Sequence, residues 1–370
     1  MKNRETMHEP LIRISKKDSM QWYKSWAVRT AAIALALILC AFVIILLTGY
    51  SPIEVYKAVF AGSFGSERKV WLTFQKVAML LCISLAVTPA FKMRFWNIGA
   101  EGQVLAGALA TSACMIYLGS KLPPAALIPI MAAASIAAGL IWCFIPAFFK
   151  ANFKTNETLF TLMMNYVAVQ AVAYCIILWE NPKGSNSVGI INPSSHFGWL
   201  PSLFNQKYLL NILIVFSVTV AMYIYLKYSK HGYEISVVGE SENTAKYIGI
   251  NVKKVILRTA ALSGAICGLA GFLLVSGTDH TISTTTAGGQ GFTAIIVSWL
   301  AKFNPIVMML TSFLLIFLER GAGEIATVFR LNQSISEILS GIILFFIIGS
   351  EFFINYTVSF RKKNHKEGKK

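Results

Sequence analysis

Residues 30–48 form an apolar run without one charged side chain. As a helix it is long enough to cross a hydrocarbon layer, which takes roughly 17–25 residues. In lipid such a run must satisfy its main-chain N–H and C=O groups within itself, so it can only be helical. Nine further apolar segments follow, near 75–91, 104–118, 125–149, 158–179, 208–226, 257–275, 291–301, 306–319 and 336–353. The whole chain is 55 % hydrophobic and 14 % charged, against about 25 % charged in a soluble protein. The expected fold is therefore an all-α polytopic membrane protein with about ten transmembrane helices, some short or broken. The first run exceeds a signal-peptide core of about 7–15 residues and no small-x-small cleavage site follows it, so it reads as a retained span.

The formal net charge of +16 does not mark a nucleic-acid binder, because the basic residues gather at helix ends and tails rather than among stacking aromatics. With ten spans both termini share one side, and 24 of the 33 basic residues then fall on that side. By the positive-inside rule it is the cytoplasm. The chain divides into a basic N-terminal arm (1–29), a transmembrane domain (30–355) and a basic C-terminal tail (356–370) near anionic lipid headgroups. Six cysteines lie in apolar segments without a Cys-x-x-Cys pair, and five histidines are scattered. Neither a disulfide framework, a metal site nor a cofactor site is indicated. No phosphate-binding Gly-x-x-x-x-Gly-Lys-Ser/Thr loop is present, and no clustered acid–base set marks a catalytic centre.

Between two apolar segments stands Asn97-Ile-Gly-Ala-Glu-Gly-Gln103. A charged group in the middle of a membrane helix costs about 3 kcal/mol and usually faces a bundle interior or a water-filled path. Gly99 and Gly102 let the backbone bend or approach a neighbour closely. The alternative is an interfacial Glu101 that snorkels, with glycines serving helix packing. A second glycine-interrupted polar stretch, Gly288-Gly-Gln-Gly-Phe292, also precedes a short span. The topology places one break near the inside and the other near the outside, as inverted repeats do. Asn97, Glu101, Gln103, Gln290 and Phe292 are thus candidates to line a path. Asn165, about two turns into the 158–179 span, is a further candidate for the path and requires a partner within the bundle. Simple packing through glycine and amide side chains is the competing reading for each.

Two loops exceed mere connectors. The outer one, 180–206, carries Phe197 and Trp199; it is either a flexible connector or a docking surface for an external partner. The inner one contains a short helix between Gly239 and Gly249, with Ser241 as N-cap, Glu242 in the first turn and Gly249 as the stop. A capped helix tied directly to a span can transmit a push; a solvated linker helix without partner is the alternative. Asn156 and Glu157 stand at the inner end of the 158–179 span, where Glu157 can pair with Lys150 or Lys154 or brace the loop helix. Lys302 and Asn304-Pro305 read as a tight inner turn.

Residues 97–108, Asn156-Glu157-Thr158 with Met163, Asn165 and Tyr166, the 239–250 loop, and Gly289-Gln-Gly-Phe-Thr-Ala-Ile295 with Asn304-Pro305 occur in one order along the chain. Together they resemble permease subunits of ABC importers, in the nucleoside and simple-sugar branch of the branched-chain amino acid and ribose permease family. The resemblance implies that residues 241–248 are the coupling helix that docks on a separate ATPase subunit, with Gly239, Ser241, Thr244, Ala245, Tyr247, Gly249, Asn156 and Glu157 as the coupling set. It implies a path lined by broken helices of two related halves, a second permease subunit that is a different chain, an extracellular or periplasmic solute-binding protein, and the plasma membrane of a prokaryote. Ser241-Glu242 stands where the family often has Asn-Pro, and Thr244 where it often has Ala, so the partner's groove differs in detail. The function implied is import of nucleosides, with simple sugars as the alternative and no enzymatic activity in this chain. A stand-alone secondary transporter requires paired intramembrane charges, and a membrane enzyme requires a clustered site; both leave the glycine-bounded helix unexplained.

Overall fold

The computed structural model describes residues 12–17, 20–331 and 333–360. In chain order the elements are β1 (Ile12–Lys16), α1 (Trp22–Thr48), α2 (Pro52–Phe64), α3 (Glu67–Lys92), α4 (Ala100–Leu118), α5 (Pro124–Phe153), α6 (Glu157–Trp179), α7 (Leu209–Tyr228), α8 (Lys230–Glu240), α9 (Glu242–Tyr247), α10 (Val252–Leu274) with a π-helical turn (Val275–Asp279), α11 (Gln290–Leu300), α12 (Pro305–Val328), α13 (Gln333–Asn355) and β2 (Tyr356–Phe360). All ten expected segments are helical, so the chain is an all-α polytopic membrane protein. Among the described residues eight helices are long and apolar enough to cross a membrane unaided. The segments expected at 104–118 and 291–301, α4 and α11, are not among the eight, and α11 has only 11 residues. Helices α2 and α8 were not expected, because neither carries a long apolar run.

The chain forms two compact units. The first combines the described residues of Met1–Ser63 and Leu318–Lys370. In it α1 packs on α13, with Arg29 Nη2 2.5 Å from Glu351 Oε1, and β1 pairs antiparallel with β2 from Ile12 opposite Phe360 to Lys16 opposite Tyr356. Helix α1 begins eight residues before the expected span, and strand pairing holds Ile12–Lys16 of the N-terminal arm to Tyr356–Phe360 at the start of the tail. Lys2, Arg4 and the basic residues 361–370 lie outside the described residues.

The second unit, Phe64–Phe317, is built around α10. Three small residues on that helix set its distance from its neighbours. A Cβ on Gly264 would come 2.4 Å from the Gly139 carbonyl oxygen of α5, one on Gly268 2.2 Å from that of Ser135, and one on Gly271 2.3 Å from that of Val104 on α4. Backbones meet here because lipid supplies no hydrophobic drive between helices, and close van der Waals packing takes its place. The Ser135 hydroxyl donates to the Gly268 carbonyl across the same seam.

The 180–206 loop is a packed structure rather than a slack connector. Ile191 N–H donates to the His280 carbonyl at 2.8 Å and Leu200 N–H to that of Ser276 at 3.0 Å. Trp199 Nε1 donates to the Ile191 carbonyl at 2.9 Å, and its ring stacks on the His280 imidazole with centroids 3.7 Å apart and planes within 4°. Val188 and Ile191 are buried. Apolar residues and a ring stack pin a stretch whose Asn, Pro, Ser and Gly content reads as flexible.

Candidate functional site

Helix α3 stops at Lys92, Arg94 takes a left-handed φ of 62°, and the chain crosses to α4 through residues 95–99. This non-helical backbone sits inside a helical bundle, where each polar group must find a partner in the protein. Asn97, fully buried, supplies one of them and ties the turn to neighbouring side chains. Its Oδ1 accepts from Gly99 N–H at 3.1 Å and from Gln103 Nε2 at 2.9 Å, while its Nδ2 donates to Ser263 Oγ on α10 at 3.1 Å. Asn165 on α6 does the same from the other side: its Oδ1 accepts from Gly102 N–H at 2.8 Å and its Nδ2 donates to the Ile98 carbonyl at 2.9 Å. One turn earlier, Thr161 Oγ1 accepts from Ile98 N–H at 3.1 Å.

The glycines make that seat possible. A Cβ on Gly102 would lie 2.9 Å from Asn165 Oδ1 and one on Gly99 3.1 Å from Thr161 Cβ. Asn97, Gln103 and Asn165 are thus brought together, all buried, as the internal bracing of the 97–103 turn. Thr161 and Ser263 were missed by sequence reasoning. Thr161 had a signal, being four residues before Asn165 on one helix face; Ser263 had none.

Glu101 faces the opposite way. Its Oε1 accepts from Gly289 N–H at 2.7 Å and its Oε2 from Gly291 N–H at 2.8 Å, so the carboxylate caps the N-terminus of α11. Gly288 and Gly289 adopt left-handed φ of 59° and 74°, which turns the chain so that these N–H groups converge. A Cβ on Gly291 would lie 2.5 Å from the Glu101 main-chain nitrogen. The sequence placed one break near each side of the membrane, but the structure joins them at one point. After the π turn, residues 280–289 bring the chain back from the far end of α10 to the start of α4, because the unpaired donors of α11 and the carboxylate of α4 satisfy each other. Beside this junction Gln290 is half-buried and Phe292 is exposed.

The loop expected on the inner side forms two helices, not one. Ser229 caps α8, accepting from Gly232 N–H at 3.0 Å, and Ser241 caps α9, accepting from Thr244 N–H at 3.2 Å. Gly249, with φ of 85°, follows the end of α9 as expected. Gly239 does not bound the short helix; it lies in the last turn of α8, where a Cβ would come 2.1 Å from the Lys92 carbonyl oxygen. Ala245 of α9 is fully buried in a cluster with Met93, Phe95, Ile235, Val238 and Val252, whereas Tyr247 is 91 % exposed. Glu234 of α8 pairs with Arg258 of α10 at 2.7 Å, and that guanidinium hydrogen bond holds the Glu234 carboxyl below its ordinary pKa. Asn156 caps α6 by accepting from Leu159 N–H at 3.2 Å, and Glu157 pairs with Lys150 at 2.7 Å. The expected tight turn is present, with Lys302 and Phe303 at left-handed φ and Asn304 Oδ1 accepting from Ile306 N–H at 3.0 Å. Among the described residues no group of His, Cys, Asp or Glu is placed to hold a metal ion.

Residues 71–348 match the family model described as branched-chain amino acid transport system / permease component. The chain is 31 % identical to the guanosine ABC transporter permease protein NupP of Bacillus subtilis, over 86 % of this chain and 92 % of that one. It is 28 % identical to the glucose ABC transporter permease protein TsgB13 of Haloferax volcanii, over 83 % of each chain. It is 27 % identical to the nucleoside ABC transporter permease protein NupB of Lactococcus lactis subsp. cremoris, over 82 % of this chain and 86 % of that one.

Proposed function

The chain belongs to the branched-chain amino acid transport system permease family, and from that premise we propose that it is the membrane-spanning permease of an ATP-driven importer of nucleosides. The observation that carries this reading is the match over 71–348, a range that holds both helix breaks and the α8–α9 pair. Two of the three relatives named above are nucleoside permeases. The match to a glucose permease supports a second reading, the same machine importing a simple sugar.

In this proposal ATP is hydrolysed on a separate subunit that docks on α9, and affinity for solute lies largely in an external binding protein. A second permease chain completes the path, and both termini are cytoplasmic. The capped helix α9, bedded through Ala245 and presenting Tyr247, supports the docking role. The antiparallel β1–β2 pair, which brings the two ends of the described chain together, supports a shared side for the termini. Glu101, Gln290 and Phe292 border the path, and Asn97, Gln103 and Asn165 hold the turn that shapes it. Gly239, Ser241, Thr244, Gly249, Asn156 and Glu157 form and anchor the coupling surface. A path that holds solute weakly suits transport, since a tightly held solute would not leave.

The test is uptake of radiolabelled guanosine, uridine, glucose and leucine by cells expressing this chain with its transport partners, with and without ATP depletion. ATP-dependent nucleoside uptake that disappears on deletion of this chain is the expected result. ATP-dependent glucose uptake instead selects the second reading. Uptake that survives ATP depletion and collapses with the ion gradient refutes both.

A further inference from the structure

We infer that Glu101 is a positioning residue: it fastens the starts of α4 and α11 into one body and so carries movement of the α8–α9 pair to the break before α11. The inference rests on the permease reading above and assigns the carboxylate a role other than contact with solute.

Three observations carry it. First, both carboxylate oxygens are engaged by main-chain donors, Gly289 N–H at 2.7 Å and Gly291 N–H at 2.8 Å. A carboxylate held this way is poorly placed to bind a passing hydroxyl. Second, Glu101 lies in the first turn of α4 as well as at the tip of α11. Each helix N-terminus carries roughly half a positive charge, so two such ends brought together repel unless an anion stands between them. Glu101 is that anion. Third, the turn that bears Glu101 is gripped by the inner helices. Gly239 of α8 lies directly on the Lys92 carbonyl, and Met93 and Phe95 share the buried cluster of Ala245, Ile235 and Val238.

A displacement of α8–α9 therefore acts on residues 92–95. Asn97, Thr161 and Asn165 keep the turn rigid, so it moves as a unit with the start of α4. Through Glu101 it takes α11 with it, and Phe292 and Gln290 shift at the path. Packed interfaces are bistable rather than continuously deformable, which suits a switch between two access states.

The test uses the complete importer, reconstituted in vesicles with its ATPase, partner permease and binding protein. Hydrogen exchange is followed over residues 286–295 alongside nucleoside uptake and ATP hydrolysis. In Glu101→Gln one oxygen acceptor is replaced by a donor that faces another N–H. Exchange over 286–295 should rise at least tenfold, and uptake should fall at least tenfold while ATP hydrolysis stays within about twofold of wild type. Gly291→Ala should give the same split with the carboxylate still present, an outcome that a solute-binding role for Glu101 does not produce; it also serves if Glu101→Gln fails to assemble. Unchanged exchange, unchanged uptake, or equal losses of uptake and ATP hydrolysis in the assembled variants would each overturn the inference. Wild-type importer that takes up no nucleoside would remove the substrate reading alone, since the exchange readout judges Glu101 without reference to solute.

Discussion

Gly239 in the last turn of α8 and Lys92 at the end of α3 meet backbone to backbone, with room for hydrogen only: a Cβ would lie 2.1 Å from the Lys92 carbonyl oxygen. No side-chain rearrangement relieves that clash, because the obstacle is main chain. Gly239→Ala should therefore lift α8 off α3. Overpacking of this kind costs about 1–3 kcal/mol. A lowered thermal midpoint in detergent, with uptake falling more than ATP hydrolysis, is expected; a variant that transports and melts like wild type would show that the contact carries no force.

Ala245 and Tyr247 of α9 should separate cleanly. Tyr247 is 91 % exposed, so Tyr247→Asp should change stability by no more than about 0.5 kcal/mol yet reduce ATP-driven uptake at least tenfold by spoiling the docking face. Ala245 is buried among apolar side chains, so Ala245→Asp places an unpaired charge there and should cost about 3–5 kcal/mol. Thermal unfolding and ATPase co-purification, measured on both, distinguish the two effects.

Asn165 supplies partners for two main-chain groups of the 97–103 turn, accepting from Gly102 N–H and donating to the Ile98 carbonyl. Asn165→Leu strands both. Each orphaned buried group costs about 1–3 kcal/mol, and the turn should loosen before the bundle does. Maleimide labelling of Cys143, which is fully buried beside Asn97, should accelerate in this variant at temperatures where wild type remains unlabelled.

Burial against Trp199, with Lys207 and His196 nearby, pushes the His280 imidazole down from 6.5 to about 4. With the 180–206 loop packed on His280, the folded state binds fewer protons than the unfolded state between those values, and its stability rises with pH there. The contribution is intact at neutral pH and is lost as pH falls from about 6.5 toward 4. Protease resistance of residues 180–206 should decline across that window in wild type and stay flatter in His280→Phe, which keeps the ring stack without the proton. Equal pH profiles would refute the assignment.

The close α10–α5 seam makes a further stability test. At Gly268 a Cβ would meet the Ser135 carbonyl oxygen at 2.2 Å, so Gly268→Val should part the two helices and abolish accumulation of the folded protein. The same change at Gly323, where nothing lies within 4 Å, should be tolerated.

Sequence by itself determined the class of this protein. Apolar runs long enough to cross a bilayer permit only helices, and charge, glycine and cap residues mark where those helices stop: Ser241, Gly249 and Asn156 stand at helix ends as local chemistry requires. It also singled out Glu101 and the 288–292 stretch as anomalies in apolar surroundings. The tertiary structure alone decided that these two anomalies answer each other. A carboxylate at residue 101 and main-chain donors at 289 and 291 are remote in the chain, and backbone N–H groups leave no mark in sequence beyond the glycines that expose them. Likewise Gly239 reads as a helix boundary from its neighbours, while its actual constraint comes from a carbonyl contributed by another helix. Periodicity, caps and hydropathy are local and legible; close backbone approach and long-range hydrogen bonding depend on which helices the fold brings together.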